Sequence, residues 1–197
     1  MNDRGRAASL AWSGLGIGLL SGSARGRAVD VRAFHLLNAG DSRPADLVFE
    51  GITELGSIWA SAGAAAALAL AGRRAAAVRA LAAAGTAWTL GQLVKGVFRR
   101  PRPYDTFGPG GSRLLIGKPR GTSWPSSHPA VLLAFLTVAG RELDLGPAVR
   151  AASLGLAGAV GLSRVALGVH FPSDVAGGLL MGRAVGLAWP GSDPKRR

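Results

Sequence analysis

Uncharged, apolar runs recur along this chain, separated by short basic or glycine-rich breaks. The first, Ala7 to Ala24, follows Arg4 and Arg6 and gives way to a polar stretch from Arg25 to Glu50. Leu55 to Gly72 is the second and ends at Arg73 and Arg74; Ala80 to Val94 is the third and ends at Lys95. Gly121 to Gly140 is the fourth, with His128 near its start. The fifth, Gly146 to Ser163, has Arg150 about one turn inside, and the sixth, Val175 to Trp189, is interrupted by Arg183. This pattern predicts an all-α fold, a bundle of six transmembrane helices. Several runs fall short of the ~20 apolar residues that cross a hydrocarbon core of ~30 Å. Snorkelling of Arg79, Arg150 and Arg183 extends three of them, and the abundant Ala, Gly and Ser let helices pack closely. The alternative is a soluble all-α protein with buried helices. Ala7 to Ala24 also has the flanks of a signal sequence, but its glycines make a weak apolar core for one, and a span is expected.

At 197 residues the length fits one domain, expected over residues 1–190, with a disordered cytoplasmic tail over 191–197. The chain has no cysteine, which excludes a disulfide framework, a thiol nucleophile and a cysteine-ligated zinc. Charged residues are 17% of the chain, below the roughly 25% of an ordinary soluble domain. A net charge of +12 invites a nucleic-acid partner. However, the basic residues punctuate segment ends rather than lining one face, and aromatics are too few for a stacking platform. The expected partner is the bilayer, with no nucleic acid; the sequence leaves oligomeric state open.

Six spans with the amino terminus inside put Arg4, Arg6, Arg73, Arg74, Arg79, Arg141, Arg150 and the basic tail in the cytoplasm, as the positive-inside rule requires. The stretch Lys95 to Arg120 breaks the rule, because it lies outside yet holds Lys95, Arg99, Arg100, Arg102, Arg113, Lys118 and Arg120. An anionic substrate would account for it.

Two of the three histidines sit in short polar clusters: KGVFRRPRP (Lys95 to Pro103), PSSH (Pro125 to His128) and SRVALGVHFPSD (Ser163 to Asp174). The predicted spans bring all three to one face of the membrane. In the first, Pro101 and Pro103 hold the chain extended about Arg102, so the Lys95 amine and the Arg102 fork can converge on one anion. In the second, Ser126 or Ser127 can cap the following helix, and free N–H groups around Ser127 and His128 make an anion site at a helix amino terminus. His128 there suits general-acid work. In the third, Phe171 before Pro172 must be extended, which places His170 in a tight turn. Asp174 can fold back to accept the Nδ1–H of His170 and bare Nε2 as a nucleophile, with Arg164 beside it. Taken singly, each cluster has a plainer account: a lipid-headgroup anchor, a capping histidine, and an Asp174 helix cap.

Taken together and in order, they resemble the type 2 phosphatidic acid phosphatase superfamily, which includes bacterial lipid phosphatases and vanadium haloperoxidases. The pattern K-x6-RP, PSGH, SR-x5-H-x3-D is matched by Lys95 with Arg102-Pro103, by PSSH, and by Ser163-Arg164 with His170 and Asp174. Ser127 stands where glycine is usual; a backbone N–H to phosphate survives that change provided φ is helical. The resemblance implies a phosphohistidine at His170, Asp174 as its orienting partner, His128 as the acid for the leaving oxygen, and Lys95, Arg102, Arg164, Ser126 and Ser127 as phosphate holders. It implies no metal and no cofactor. The expected activity is hydrolysis of a lipid phosphate or diphosphate, a polyprenyl (di)phosphate first, at the extracytoplasmic face of the cell membrane. Phosphatidic acid, phosphatidylglycerophosphate and polyprenyl phosphosugars are alternative substrates. Haloperoxidase activity is disfavoured by the short apolar chain, and a non-enzymatic lipid-binding role by the intact motifs. The glycine-rich loop Tyr104 to Ser123 is expected to cover the headgroup.

Overall fold

The computed structural model describes residues 2–191, and its described residues form helices and no strand. α1 (Asp3–Gly22) meets α2 (Ala24–Asn38) at Ser23, whose hydroxyl accepts the Gly26 N–H and caps α2. α3 (Arg43–Thr53), a 3-10 turn (Glu54–Gly56) and α4 (Ile58–Leu70) follow, then the long α5 (Arg74–Phe98) and the short α6 (Pro103–Phe107). A loop leads to α7 (Ser127–Glu142), α8 (Pro147–Ala166) and α9 (Pro172–Ala188).

The all-α class holds, with one correction. The polar stretch Arg25 to Glu50, read as a break, is largely helical and forms α2 and most of α3. Its charges do not oppose helix formation, because some of them turn inward to partners distant in sequence, as Asp30 does to Arg100. Among the described residues no single helix is long and apolar enough to cross a membrane. Only the pair Arg43–Gly56 and Ile58–Leu70, bent by 64°, passes that test together. The helices are short: α7 has 16 residues and α9 has 17, roughly 24–26 Å at 1.5 Å per residue. Apart from Gly191, the tail expected to be disordered lies outside the described residues.

α7 is the central helix, packed against α4, α5, α8, α9 and the 3-10 turn. A helix surrounded on all sides must be apolar all round, and α7 buries residues on every face, from Ala130 and Val131 to Val138 and Ala139. Its neighbours approach through small side chains. Ala77, Ala80, Ala83 and Ala84 of α5 meet Val131, Phe135 and Val138. On α9, Gly178, Gly182 and Gly186 form a stripe at four-residue spacing, the arrangement that lets two backbones touch. A Cβ at Gly182 would lie 2.2 Å from the Ala130 carbonyl, so alanine there would force the helices apart. Several large apolar side chains nevertheless point outward: Trp59 is 81% and Leu70 91% exposed.

This up-and-down packing gathers particular helix termini. The last turns of α5 and α8 and the first turns of α7 and α9 meet at one end of the bundle, and these turns carry the three polar clusters.

Candidate active site

α5 stops at Arg99, which adopts left-handed backbone angles (φ 43°, ψ 32°) and gives its N–H to the Lys95 carbonyl. Beyond that reversal Arg102 is extended (φ −81°, ψ 162°), as a residue before proline must be. Its guanidinium is buried and clamped by carbonyls: Nε to Gly121 at 2.9 Å, Nη1 to Val169 at 3.0 Å and Nη2 to Arg120 at 3.3 Å. Nη1 also reaches His170 Nε2 at 3.2 Å.

His170 follows a turn at Gly168, whose φ of 80° needs glycine and whose missing Cβ leaves room for the Arg113 carbonyl. Phe171 is extended before Pro172, as expected. A guanidinium has donors and no acceptor, so the Arg102 contact requires an unprotonated Nε2. The proton of the neutral ring then sits on Nδ1. Burial, and after it the charge of Arg102, hold the imidazole's ionisation well below its ordinary range. The geometry therefore presents a neutral ring with its Nε2 lone pair facing the cations.

Behind the ring, Nδ1 lies 3.4 Å from Ser123 Oγ and 3.5 Å from Asp174 Oδ2. Both are long, so Nδ1–H is shared between the two and not held by Asp174 alone. Asp174 is fully buried and saturated: Oδ2 accepts the Phe171 N–H at 2.7 Å and the Ser123 hydroxyl at 2.5 Å, and Oδ1 accepts Arg100 Nη1 at 2.8 Å. One carboxylate thus caps α9 and also faces the histidine. Arg100 continues outward to Asp30 on α2, Nη2 to Oδ2 at 2.5 Å, and its guanidinium lies 4.3 Å over the Phe171 ring. Asp30 in turn accepts the Ser173 N–H at 2.9 Å.

α7 opens the facing wall. Ser126 sits at the N-cap and gives its backbone N–H to the Asp174 carbonyl at 2.9 Å, but its hydroxyl makes no capping bond. That hydroxyl is buried without a hydrogen-bond partner. Ser127 is the first helical residue and is absent from the positive-φ positions, so serine replaces glycine without backbone strain. Its Oγ accepts Lys95 Nζ at 3.2 Å and Gln92 Nε2 at 3.4 Å. His128 follows, pressed by the backbone of Gly56, where a Cβ would lie 2.7 Å from His128 Cβ. The guanidiniums of Arg164 and Arg102 and the amine of Lys95 also act on it electrostatically. Arg164 is buried, donates Nη1 to Thr53 Oγ1 at 2.8 Å, and leaves Nε unpartnered.

All eight residues expected from the motifs are therefore brought to one end of the bundle. Sequence reasoning missed Ser123, Arg100 as an individual residue, Asp30, Thr53 and Gln92. Only Asp30 carried a local signal, as a lone carboxylate among Arg25, Arg27 and Arg32. The glycine-rich loop is strapped down beside the site. Asn38 of α2 pairs both ways with the Arg113 backbone at 2.8 and 2.9 Å, and Arg113 reaches Asp46 of α3 at 2.7 Å.

Residues 75–197 match the model of the PAP2 superfamily. The chain belongs to the PAP2 superfamily. Within it, the decaprenylphosphoryl-5-phosphoribose phosphatase of Mycobacterium tuberculosis, from strains CDC 1551 and H37Rv, is 35% identical over 106 residues. That match covers 53% of this chain and 54% of the relative, so the chain spans about half the length of the curated relatives it matches. Among solved PAP2 structures, the transmembrane phosphatidylglycerolphosphate phosphatase of Bacillus subtilis superimposes with a TM-score of 0.75 at 22% identity, covering 92% of both chains. Aquifex aeolicus LpxE superimposes with a TM-score of 0.66 at 27% identity, covering 78% of this chain and 89% of that one.

Proposed function

We propose that this PAP2 protein is a membrane lipid phosphatase that hydrolyses a phosphate or diphosphate carried on a polyprenyl lipid. The observation that carries the proposal is His170 with Nε2 3.2 Å from a guanidinium, a contact that requires an unprotonated Nε2, and with Ser123 and Asp174 behind Nδ1. A neutral, oriented imidazole aimed at a cationic pocket suits in-line attack on phosphorus. Lys95, Arg102 and Arg164 would hold the nonbridging oxygens, with the Ser127 backbone N–H at the start of α7. Ser126 Oγ and Arg164 Nε are buried and unpartnered within the protein, which ordinarily costs about 1–3 kcal/mol each, and a phosphate accepts from both. His170 Nε2 would bond to phosphorus as the ester bond breaks, and His128 would give its proton to the departing lipid oxygen. His128 would then take a proton from water, whose oxygen attacks phosphorus and frees Nε2. The fixed cations supply the charge stabilisation that magnesium supplies in other phosphoryl-transfer enzymes.

Placement in the membrane rests on the many exposed large apolar side chains, among them Trp12, Trp59, Leu70 and Leu93, unlike a soluble surface, and on the transmembrane structural relative. Six crossings, with the site at the extracytoplasmic face, remain the preferred arrangement, the short helices being extended by snorkelling arginines. A second substrate, phosphate on a polyprenyl-linked sugar, is favoured by the 35% identity to the decaprenylphosphoryl-5-phosphoribose phosphatase.

The test is phosphate release from a panel of polyprenyl diphosphate, polyprenyl phosphosugar, phosphatidic acid and phosphatidylglycerophosphate in detergent, with and without EDTA. Release from a polyprenyl substrate, unaffected by EDTA and inhibited by vanadate, is expected. Release restricted to glycerophospholipids would overturn the polyprenyl assignment, and loss in EDTA restored by magnesium would overturn the mechanism. Sidedness follows from single cysteines at Ser42 and Ala75 in this cysteine-free chain. Ser42→Cys should react with an impermeant reagent outside intact cells, and Ala75→Cys only after permeabilisation.

A further inference from the structure

Two arginines interrupt the apolar runs of α8 and α9, and snorkelling treats each on its own. The structure brings them together. Arg150 and Arg183 line a single cavity of about 140 Å³ with Arg6 of α1 and Arg141 of α7, at the end of the bundle opposite His170. Helix α7 separates the two ends, with His128 in its first turn and Arg141 in its last, roughly 20 Å apart at 1.5 Å per residue.

Four guanidiniums from four helices share this cavity with one carboxylate, Asp3, among the described residues. The neighbouring acids are occupied or distant. Glu142 takes Arg79 at 3.0 Å, and Asp144, itself 90% exposed, stands 4.0 Å from Arg150. Arg141 is fixed by the end of α9, donating to the Leu187 and Trp189 carbonyls at 3.3 and 2.6 Å. Arg183 donates one nitrogen to Thr137 Oγ1 at 3.0 Å. Positioned donors are therefore in place while Asp3 compensates the local charge only in part, and like charges held together in a half-buried site repel. An ionisable group within a spanning helix ordinarily marks a function. Planar guanidiniums are the natural ligands of phosphate oxygens. The hydroxyls of Thr137 and Ser153 and the apolar walls Leu136 and Leu187 complete the lining, and at about 30 Å³ per water molecule the volume holds several waters or one phosphate group.

We infer that the cavity between Arg6, Arg141, Arg150 and Arg183 is a second phosphate-binding site, remote from the catalytic one, that takes a phosphate group carried by a lipid or free in solution. Its test uses the absence of native cysteine. Ser153→Cys puts one thiol on the cavity wall, where its modification by neutral N-ethylmaleimide reports this site and not the catalytic one. In detergent, labelling should slow with inorganic phosphate relative to chloride at matched ionic strength, or with phosphatidylglycerol relative to phosphatidylcholine. Protection by inorganic phosphate assigns a free anion; protection by phosphatidylglycerol alone assigns a headgroup. Adding Arg150→Gln or Arg183→Gln should raise the half-protecting concentration about 10-fold or more, the worth of a charge-assisted hydrogen bond. Arg183→Lys keeps the charge and should retain protection if the fold is intact. Equal labelling rates in all four conditions, or protection that survives both glutamine variants, would overturn the proposal.

Discussion

The two ends of this bundle are both rich in arginine and use it differently. At the His170 end Arg102 is clamped by three carbonyls and Arg100 is held between Asp30 and Asp174, while Arg164 has one hydroxyl partner and an unpartnered Nε. At the opposite end Arg183 has a single hydroxyl partner and Arg150 a carboxylate at 4.0 Å. Fixed donors suit catalysis, because charge that is already aimed where the transition state needs it requires no reorganisation. Looser donors suit recognition of a bound group that can settle among them. The number of arginines therefore does not separate a reactive site from a binding site; an imidazole held against a fixed guanidinium, as His170 is against Arg102, does.

The comparison breaks most visibly at the reacting atoms. His170→Ala should reduce turnover to background, since among the described residues no other imidazole is hydrogen-bonded to Arg102. His128→Ala should cost about 10²–10⁴-fold on a lipid alkoxide leaving group and much less on p-nitrophenyl phosphate, whose leaving group needs little protonation. Equal losses on both substrates would remove His128 from the acid role.

One step back, the claim that Arg100 is immobilised for Asp174's sake is tested from α2. Asp30→Asn should lower kcat about 10–100-fold, the usual cost of losing a supporting partner of a reactive group, with KM little changed. A rise in KM at constant kcat would instead make Asp30 part of substrate binding.

The pH profile sharpens the role of Arg102. Burial and Arg102 disfavour the imidazolium of His170, so His170 is neutral at pH 7 and stays neutral as pH falls through its ordinary titration range. Removing the positive neighbour in Arg102→Gln raises the pKa, protonates more His170 at any given pH, and moves the acid limb of kcat/KM upward. An unmoved acid limb would separate the two residues electrostatically.

The smallest effect is expected at Ser127. Ser127→Gly keeps the backbone N–H and loses the hydroxyl that takes Lys95 and Gln92. At about 0.5–1.5 kcal/mol for a hydrogen bond, KM should rise about 2- to 10-fold with kcat retained.

Much of the candidate catalytic end was legible in the sequence because its constraints are local. Proline fixes the backbone of Arg102 and Phe171, a helix start fixes Ser127 and His128, and the spacing from His170 to Asp174 closes a turn. The supporting residues were not legible. Asp30, Thr53 and Ser123 act across long stretches of chain, and of the three only Asp30, a lone carboxylate among arginines, has neighbours that hint at a partner. The polar character of Arg25 to Glu50 also concealed two helices, because hydropathy registers the charges and not the partners that neutralise them. The apolar runs located α5 and α7 to α9, but their lengths overstated how continuous the apolar surface of any one helix is.

The central claim is that His170 becomes covalently phosphorylated. Rapid acid-free denaturation of the protein during turnover of a ³²P-labelled lipid phosphate tests it directly. Wild type should carry acid-labile, base-stable radiolabel that maps to the peptide containing His170, and His170→Ala should carry none. Turnover without any protein-bound phosphate under conditions that accumulate the intermediate, or label that persists in His170→Ala, would contradict it.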